Sequence, residues 1–175
     1  AAWRRSTLKR FDEIVSVSSA AQAFAKRTFK LKSEVLPNVI DYQRFWTAKP
    51  FEKYNDKLTV VFLGRLVPRK GCQLLLQAVH QLLKQPQDLP AFRVVICGGG
   101  PLEAKLKTYV TEHHLESCVE FTGFVSEDDK SRYLASADIA VFPSTGGESF
   151  GIVLIEAMAT GRAAVLGGNN IGYAS

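Results

Sequence analysis

From residue 58 onward the chain alternates short β-branched apolar runs with longer stretches whose apolar positions recur every three or four residues. That alternation is the pattern of βα units building a parallel sheet. The runs LTVVFLG (58–64), FRVVICG (92–98), CVEFTG (118–123), DIAVFPS (138–144) and AAVLG (163–167) predict five strands. Helices are predicted over 72–85, 101–114, 126–137 and 151–161. Local signals mark their ends: Pro101 suits a first helical turn, Ser126 with Asp129 resembles a capping box, and Gly161 suits a stop. On the first of these helices, Leu74, Leu75, Ala78, Val79 and Leu82 are expected on the buried side.

The first 57 residues follow another pattern. EIVSVSSAAQAFAKRTF (13–29) predicts a strand followed by a capped helix, and 36–57 is turn-rich and charged, which suits a linker. A strand and a helix ahead of a linker suggest a chain that begins partway through a larger protein. Residues 1–35 then read as the end of a preceding domain, and 58–175 as the main unit.

Composition narrows the classes. A chain of 175 residues that is 46% hydrophobic can bury the core of one globular domain. The net charge of +5 favours anionic partners, which include nucleotides, phospholipids and nucleic acid. Nucleic acid is disfavoured, because aromatic residues do not interleave with the basic ones and the cations gather at predicted strand ends. Cys72, Cys97 and Cys118 show no disulfide or metal-ligand spacing, which suits a reducing, cytoplasmic setting. There is no apolar stretch of membrane-spanning length. Trp3, Arg4, Arg5, Lys9, Arg10 and Phe11 read either as a basic amphipathic patch for peripheral membrane contact or as the tail of a helix separated from its partner. His80, His113 and His114 lack the spacing of a metal site and read as surface residues. No Ser-His-Asp arrangement is suggested.

Three segments carry candidate chemistry. GRLVPRKG (64–71) follows a strand: Gly64 lets the backbone turn out of the sheet, and Arg65 and Lys70 fall where open α/β sheets bind ligands. A planar guanidinium and a point-charge ammonium can together neutralise a diphosphate, although a solvated basic loop fits the same residues. Arg69 reads as exposed rather than functional. CGGGP (97–101), with Gly98, allows close approach of a ligand but lacks the third glycine of a dinucleotide fingerprint. In GGESFGIVLIEAMATG (146–161), Glu148 precedes the predicted helix and Glu156 lies inside it, with the free N–H groups of the first turn between them. A phosphate held there could be bracketed by two acids accepting hydrogen bonds from a sugar and a ribose. The alternatives are an acid favouring the helix dipole for Glu148 and a solvated face for Glu156.

GRLVPRKG, GGGP, VEFTGFV, YLASADIAVFPS and ESFGIVLIEAMATG, in this order and at these intervals, resemble the donor-binding half of retaining GT-B glycosyltransferases of the large group-1 family. VSVSSAAQAFAKRTF and LPNVIDYQRF are similar to the family's crossover from its amino-terminal acceptor domain, so the resemblance covers roughly residues 12–167. It implies a Rossmann-like parallel sheet with helices on both faces, the carboxyl-terminal half of a GT-B fold. It implies an NDP-sugar donor, GDP- or UDP-linked, with no cofactor and no metal. Arg65 and Lys70 would bind the diphosphate and stabilise charge on the departing nucleotide, Glu148 would meet the donor sugar hydroxyls, these three being the catalytic residues the resemblance implies, and Glu156 would bind the ribose. The backbone of Phe150, Gly151 and Ile152 would meet phosphate and sugar, and that near Phe124 and Val125 would border the base. PRKG with the glutamate segment looks closest to phosphatidylinositol α-mannosyltransferases. Arg162, where the family often has proline, and GGNNIGYAS depart from the pattern.

Rival readings are a UDP-sugar 2-epimerase of related fold and a non-catalytic nucleotide-sugar-binding module. The acceptor, a glycan or a lipid, would sit on a domain that these 175 residues largely lack, so weak nucleotide binding without turnover is expected of them. An uncovered sheet edge would favour a homodimer.

Overall fold

The structure, a computed structural model, describes residues 7, 8, 10–85 and 88–173. Of the proposed basic patch, Trp3, Arg4, Arg5 and Lys9 lie outside these residues, while Arg10 and Phe11 are exposed.

Near the amino end, β1 (Val15–Ser16) pairs in parallel with β2 (Glu34–Val35) around α1 (Ser19–Phe29). Ser18 caps α1, accepting from the Ala21 amide at 3.0 Å, as the predicted strand and capped helix require. The stretch read as a linker contains α2 (Tyr42–Trp46) and a 3₁₀ turn at Glu52–Tyr54. Phe45 and Tyr54 bury themselves in the core, and Ser136 accepts from the Phe51 amide at 2.8 Å. The charged, turn-rich composition of this stretch masked two aromatic anchors that fasten it to the sheet.

The main unit runs β3 (Leu58–Leu63), α3 (Cys72–Lys84), β4 (Phe92–Cys97), α4 (Glu103–Glu112), β5 (Val119–Gly123), α5 (Glu127–Ala135), β6 (Ile139–Phe142), α6 (Ile152–Ala159) and β7 (Ala164–Gly167). All five strands are parallel, in the order β5-β4-β3-β6-β7. Successive side chains point to opposite faces of a strand. Accordingly Phe62, Val94 and Ile96 pack with α3 and α4, whereas Val61, Val95 and Cys97 pack with α2, α5 and α6. This is the expected Rossmann-like sheet with helices on both faces.

The buried stripe of α3 differs from expectation. It comprises Cys72, Leu75, Leu76 and Val79, while Leu74 is 41% exposed, Leu82 36%, and Ala78 faces solvent. The stripe starts at Cys72 and follows i, i+3, i+4, i+7. Leu74, two positions on, is turned away by about 200°.

The strand order decides where a ligand can sit. From β3 the chain builds outward to β4 and β5, then returns to the other side of β3 for β6 and β7. The order therefore reverses between β3 and β6, and the loops leaving their carboxyl ends part to form a crevice. Gly98 helps to shape this edge: at φ +134°, a Cβ there would lie 2.1 Å from the Gly64 carbonyl oxygen.

Candidate functional site

The loop after β3 brings Arg69 and Lys70 to the crevice on a 3₁₀ turn, Pro68–Lys70. Gly71 ends that turn at φ +76°, and a Cβ on it would lie 2.0 Å from the Pro143 carbonyl oxygen. Only glycine lets this loop close against the one leaving β6. From the β6 side come Ser144 and Glu148, followed by the start of α6, whose Gly151 supplies no side-chain cap. The first amides of a helix have no partner within it, and here no side chain caps them.

Three donors converge on one atom. Arg69 Nη1 and Lys70 Nζ each lie 2.8 Å from Glu148 Oε1, and the Ser144 hydroxyl donates to the same oxygen at 2.9 Å. The Glu148 side chain is 9% exposed. Burial alone would raise its pKa, but the Lys70 ammonium, the Ser144 hydroxyl and the Arg69 charge hold the carboxyl below its ordinary value. Arg69, which the sequence suggested was exposed and idle, is half-exposed yet part of this cluster. Arg65 is exposed and forms no ion pair among the described residues. Its guanidinium is not drawn into the Glu148 cluster.

Glu156 occupies a different setting. It faces α5, where Lys130 Nζ donates to its Oε1 at 2.7 Å and also meets Glu127 Oε2 at 2.7 Å. Far from being a solvated face position, its side chain is 8% exposed. Burial, with the nearby Glu127 charge, raises its pKa despite the opposing Lys130. Lys130 is also raised: burial works against its charge, and the two carboxylates outweigh it. The shared ammonium lies 5.6 Å from the centre of the Phe45 ring.

The remaining expected residues line the same edge less uniformly. Phe150, Gly151 and Ile152 border a cleft of about 140 Å³ together with Lys70, Glu148 and Asn38. Phe124 projects outward at 90% exposure beyond β5, while Val125 packs on the core. Gly64 and Gly98 act through close loop packing, with the Gly64 amide donating to the Cys97 carbonyl at 3.0 Å and the Gly98 amide to that of Gly123 at 2.8 Å. Tyr173 was not foreseen. Its ring lies against Gly151, and burial, then the Glu148 charge, pushes its hydroxyl up to about 12. Lys130 and Ser144 were also missed. Lys130 reaches Glu156 from 26 residues away, whereas Ser144 closes the DIAVFPS run and so carried a positional signal.

No cluster of three or more potential metal ligands occurs among the described residues. His80 and His113 stack at 4.1 Å between ring centroids, on helices α3 and just beyond α4. A cavity of about 770 Å³, lined by Tyr54, Asp56, Leu58, Asp138 and Arg162, lies at the opposite, amino-terminal edge of the sheet.

A model of the family described as glycosyl transferases group 1 matches residues 45–174, which span the sheet and every residue of the cluster. The chain belongs to this family. Among its relatives, phosphatidyl-myo-inositol mannosyltransferase of Mycobacterium tuberculosis (strain ATCC 25618 / H37Rv) is 35% identical over 153 residues, 86% of this chain and 39% of the relative. The colanic acid biosynthesis glycosyltransferase WcaL of Escherichia coli (strain K12), a putative assignment by its own description, is 33% identical over 127 residues, 70% of this chain and 30% of that protein. This group-1 chain thus spans well under half the length of these curated relatives. Among solved structures, that of Anabaena HepE in complex with UDP and glucose superposes with a TM-score of 0.78. It is 24% identical, and the match covers 98% of this chain and 48% of HepE, a likeness that shows the fold.

Proposed function

We propose that this group-1 chain is the donor-binding part of a retaining hexosyltransferase, using a GDP- or UDP-linked sugar as donor substrate rather than any resident cofactor. The observation that carries the reading is the convergence of Lys70, Arg69 and Ser144 on Glu148 Oε1 at the β3/β6 crevice. Two cations facing one carboxylate leave a net positive corner, and Arg65 adds a further charge on the same loop. A nucleoside diphosphate supplies the matching anion, and cations placed there stabilise charge on the departing diphosphate. Glu148 would then turn to the sugar hydroxyls, the first turn of α6 to phosphate, and Glu156 to the ribose. In a retaining transfer the acceptor hydroxyl oxygen bonds to the anomeric carbon as the bond to the diphosphate breaks, and the leaving phosphate takes the proton. The UDP bound by HepE and the mannosyltransferase relatives support a nucleotide-sugar donor, with mannose the favoured hexose.

The acceptor, a glycan or lipid, would be held outside these residues, at the cytoplasmic face of a membrane if it is a lipid. Among the described residues no helix is long and apolar enough to cross a membrane, so membrane contact of this part would be peripheral. Self-association through the sheet edge into a homodimer would be read by sedimentation.

Calorimetric titration with GDP, UDP and ADP, on the wild type and on Lys70→Ala and Glu156→Ala, tests the proposal. Binding of one nucleotide, weakened about tenfold or more by Lys70→Ala, is expected. Binding indifferent to Lys70 would overturn the site assignment.

A further inference from the structure

The hydroxyl of Ser144 has one hydrogen and more than one claimant. Ser144 is 2% exposed, and its Oγ lies 2.9 Å from Glu148 Oε1 and 3.0 Å from the carbonyl oxygen of Arg69. A serine hydroxyl donates one hydrogen bond at a time, so these two acceptors compete for it, with the Gly146 carbonyl at a longer 3.4 Å and the Tyr173 hydroxyl also beside it. While Glu148 is ionised and close, the charged acceptor takes the hydrogen, because hydrogen bonds to ionised groups are the stronger. When Glu148 turns away, the hydrogen has a second acceptor already in place, and no buried donor is stranded.

The surrounding backbone keeps Oγ at this fork. The Ser144 amide donates to the Phe142 carbonyl at 2.8 Å, and Asn170 Nδ2 donates to the Ser144 carbonyl at 3.1 Å. Next to it, the Thr145 amide donates to the Arg69 carbonyl at 2.9 Å. One residue pair on the β6 loop therefore fixes the backbone of the very residue that precedes Lys70 on the β3 loop. The two sides of the crevice are joined through Ser144.

We propose that Ser144 is a positioning residue for Glu148, its hydroxyl passing between Glu148 Oε1 and the Arg69 carbonyl so that the carboxylate can leave Lys70 for the donor sugar without unmaking the site. This rests on the donor-site reading for what Glu148 turns toward. The hydrogen-bond exchange itself does not depend on it. The groups facing Glu148 are Arg69, Lys70, Ser144 and, beyond Gly151, the Tyr173 hydroxyl.

The test uses the whole 175-residue chain with carbon-13-labelled glutamate, the Glu148 signal being assigned by its loss in Glu148→Gln. In Ser144→Ala the titration midpoint of Glu148 should move upward, and Ser144→Thr, which keeps the hydroxyl, should restore it. Ser144→Cys, close to serine in volume but a poor donor, should behave like Ser144→Ala and serves if the alanine variant does not fold. Calorimetry then compares GDP with GDP-mannose and UDP with UDP-glucose. The expected result is a three- to tenfold loss of the preference for the sugar-bearing ligand in Ser144→Ala, with affinity for the free diphosphate changed by less than about twofold. An unmoved Glu148 midpoint in folded Ser144→Ala and Ser144→Cys overturns the proposal. So does an equal loss for diphosphate and sugar-diphosphate, the mark of a purely structural role. If no nucleotide binds even the wild type, the donor reading fails by itself, and the titration still decides whether Ser144 sets Glu148.

Discussion

Glu148 and Glu156 lie eight positions apart with side chains exposed almost equally, 9% and 8%, and each holds a lysine nitrogen within 2.8 Å. Their ionisation nevertheless moves in opposite directions, Glu148 downward and Glu156 upward. Burial is common to both, so the partners decide. Glu148 has two cations to itself and accepts from a hydroxyl as well, whereas Glu156 shares one ammonium with Glu127. The first corner is net positive and suits an anion. The second is net negative and suits neutral hydroxyls that donate. One stretch of sequence thus carries two carboxylates in unlike electrostatic settings, which under the proposed donor reading would serve a diphosphate and a ribose.

The comparison can be broken most forcefully at Lys130. Lys130→Met strands the Glu156 carboxyl in the interface between α5 and α6, and should cost about 3 kcal/mol at neutral pH, the low end for removing one partner of a buried pair. Denaturant unfolding would measure it. The cost should shrink as pH falls, because a protonated Glu156 no longer needs a counter-charge. A loss that is small, or constant with pH, would mean that Lys130 does not sustain Glu156.

Next in size is the contrast between the two cations at Glu148. The Lys70 side chain is 19% exposed and that of Arg69 46%. The better-buried charge should contribute more. Lys70→Ala is expected to weaken diphosphate binding about tenfold or more, and Arg69→Ala about two- to threefold. A larger effect from Arg69 would reverse the assignment of the principal cation.

The smallest effect is on acid stability. Glu148, with its folded pKa below the ordinary value near 4.5, adds stability that is present above that value and lost as pH falls through the lower folded pKa. Glu156, raised above the same value, acts the other way: its contribution is present below the ordinary pKa and lost as pH rises through the folded one. Glu148→Gln should therefore flatten the loss of stability on acidification, and Glu156→Gln the loss on raising pH through the carboxylate range. Unfolding measured from acid to neutral pH would show both slopes, and slopes of equal sign would refute the contrast.

Much of this was legible in the sequence. The five strands and four main helices of the sheet unit fall within a few residues of their predicted bounds, because period-2 and period-3.6 patterns are local properties of the chain. Lys70 was marked by its place after a strand and Glu148 by its place just before a helix, and the strand order turned the two positions into one crevice. What stayed hidden depends on distant partners. Lys130 meets Glu156 across 26 residues, and Arg69 reaches Glu148 across 79. Ion pairs between separate helices and loops leave no spacing signal, so Arg69 read as idle and Glu156 as free to be solvated. Phe45 and Tyr54 were lost in a charged stretch for the same reason: their burial is set by α5, α6 and the sheet rather than by neighbours in sequence.

The central claim is that a diphosphate and the Glu148 carboxylate compete for Lys70 and Arg69. Calorimetric titration of GDP and UDP into Glu148→Gln, beside the wild type, tests it most directly. Removing the competing charge should tighten binding of the free diphosphate several-fold, on the order of 1 kcal/mol for a charge no longer opposed across the site. Weaker or unchanged binding in a folded Glu148→Gln would contradict the account and leave the cation pair a structural feature of the loop.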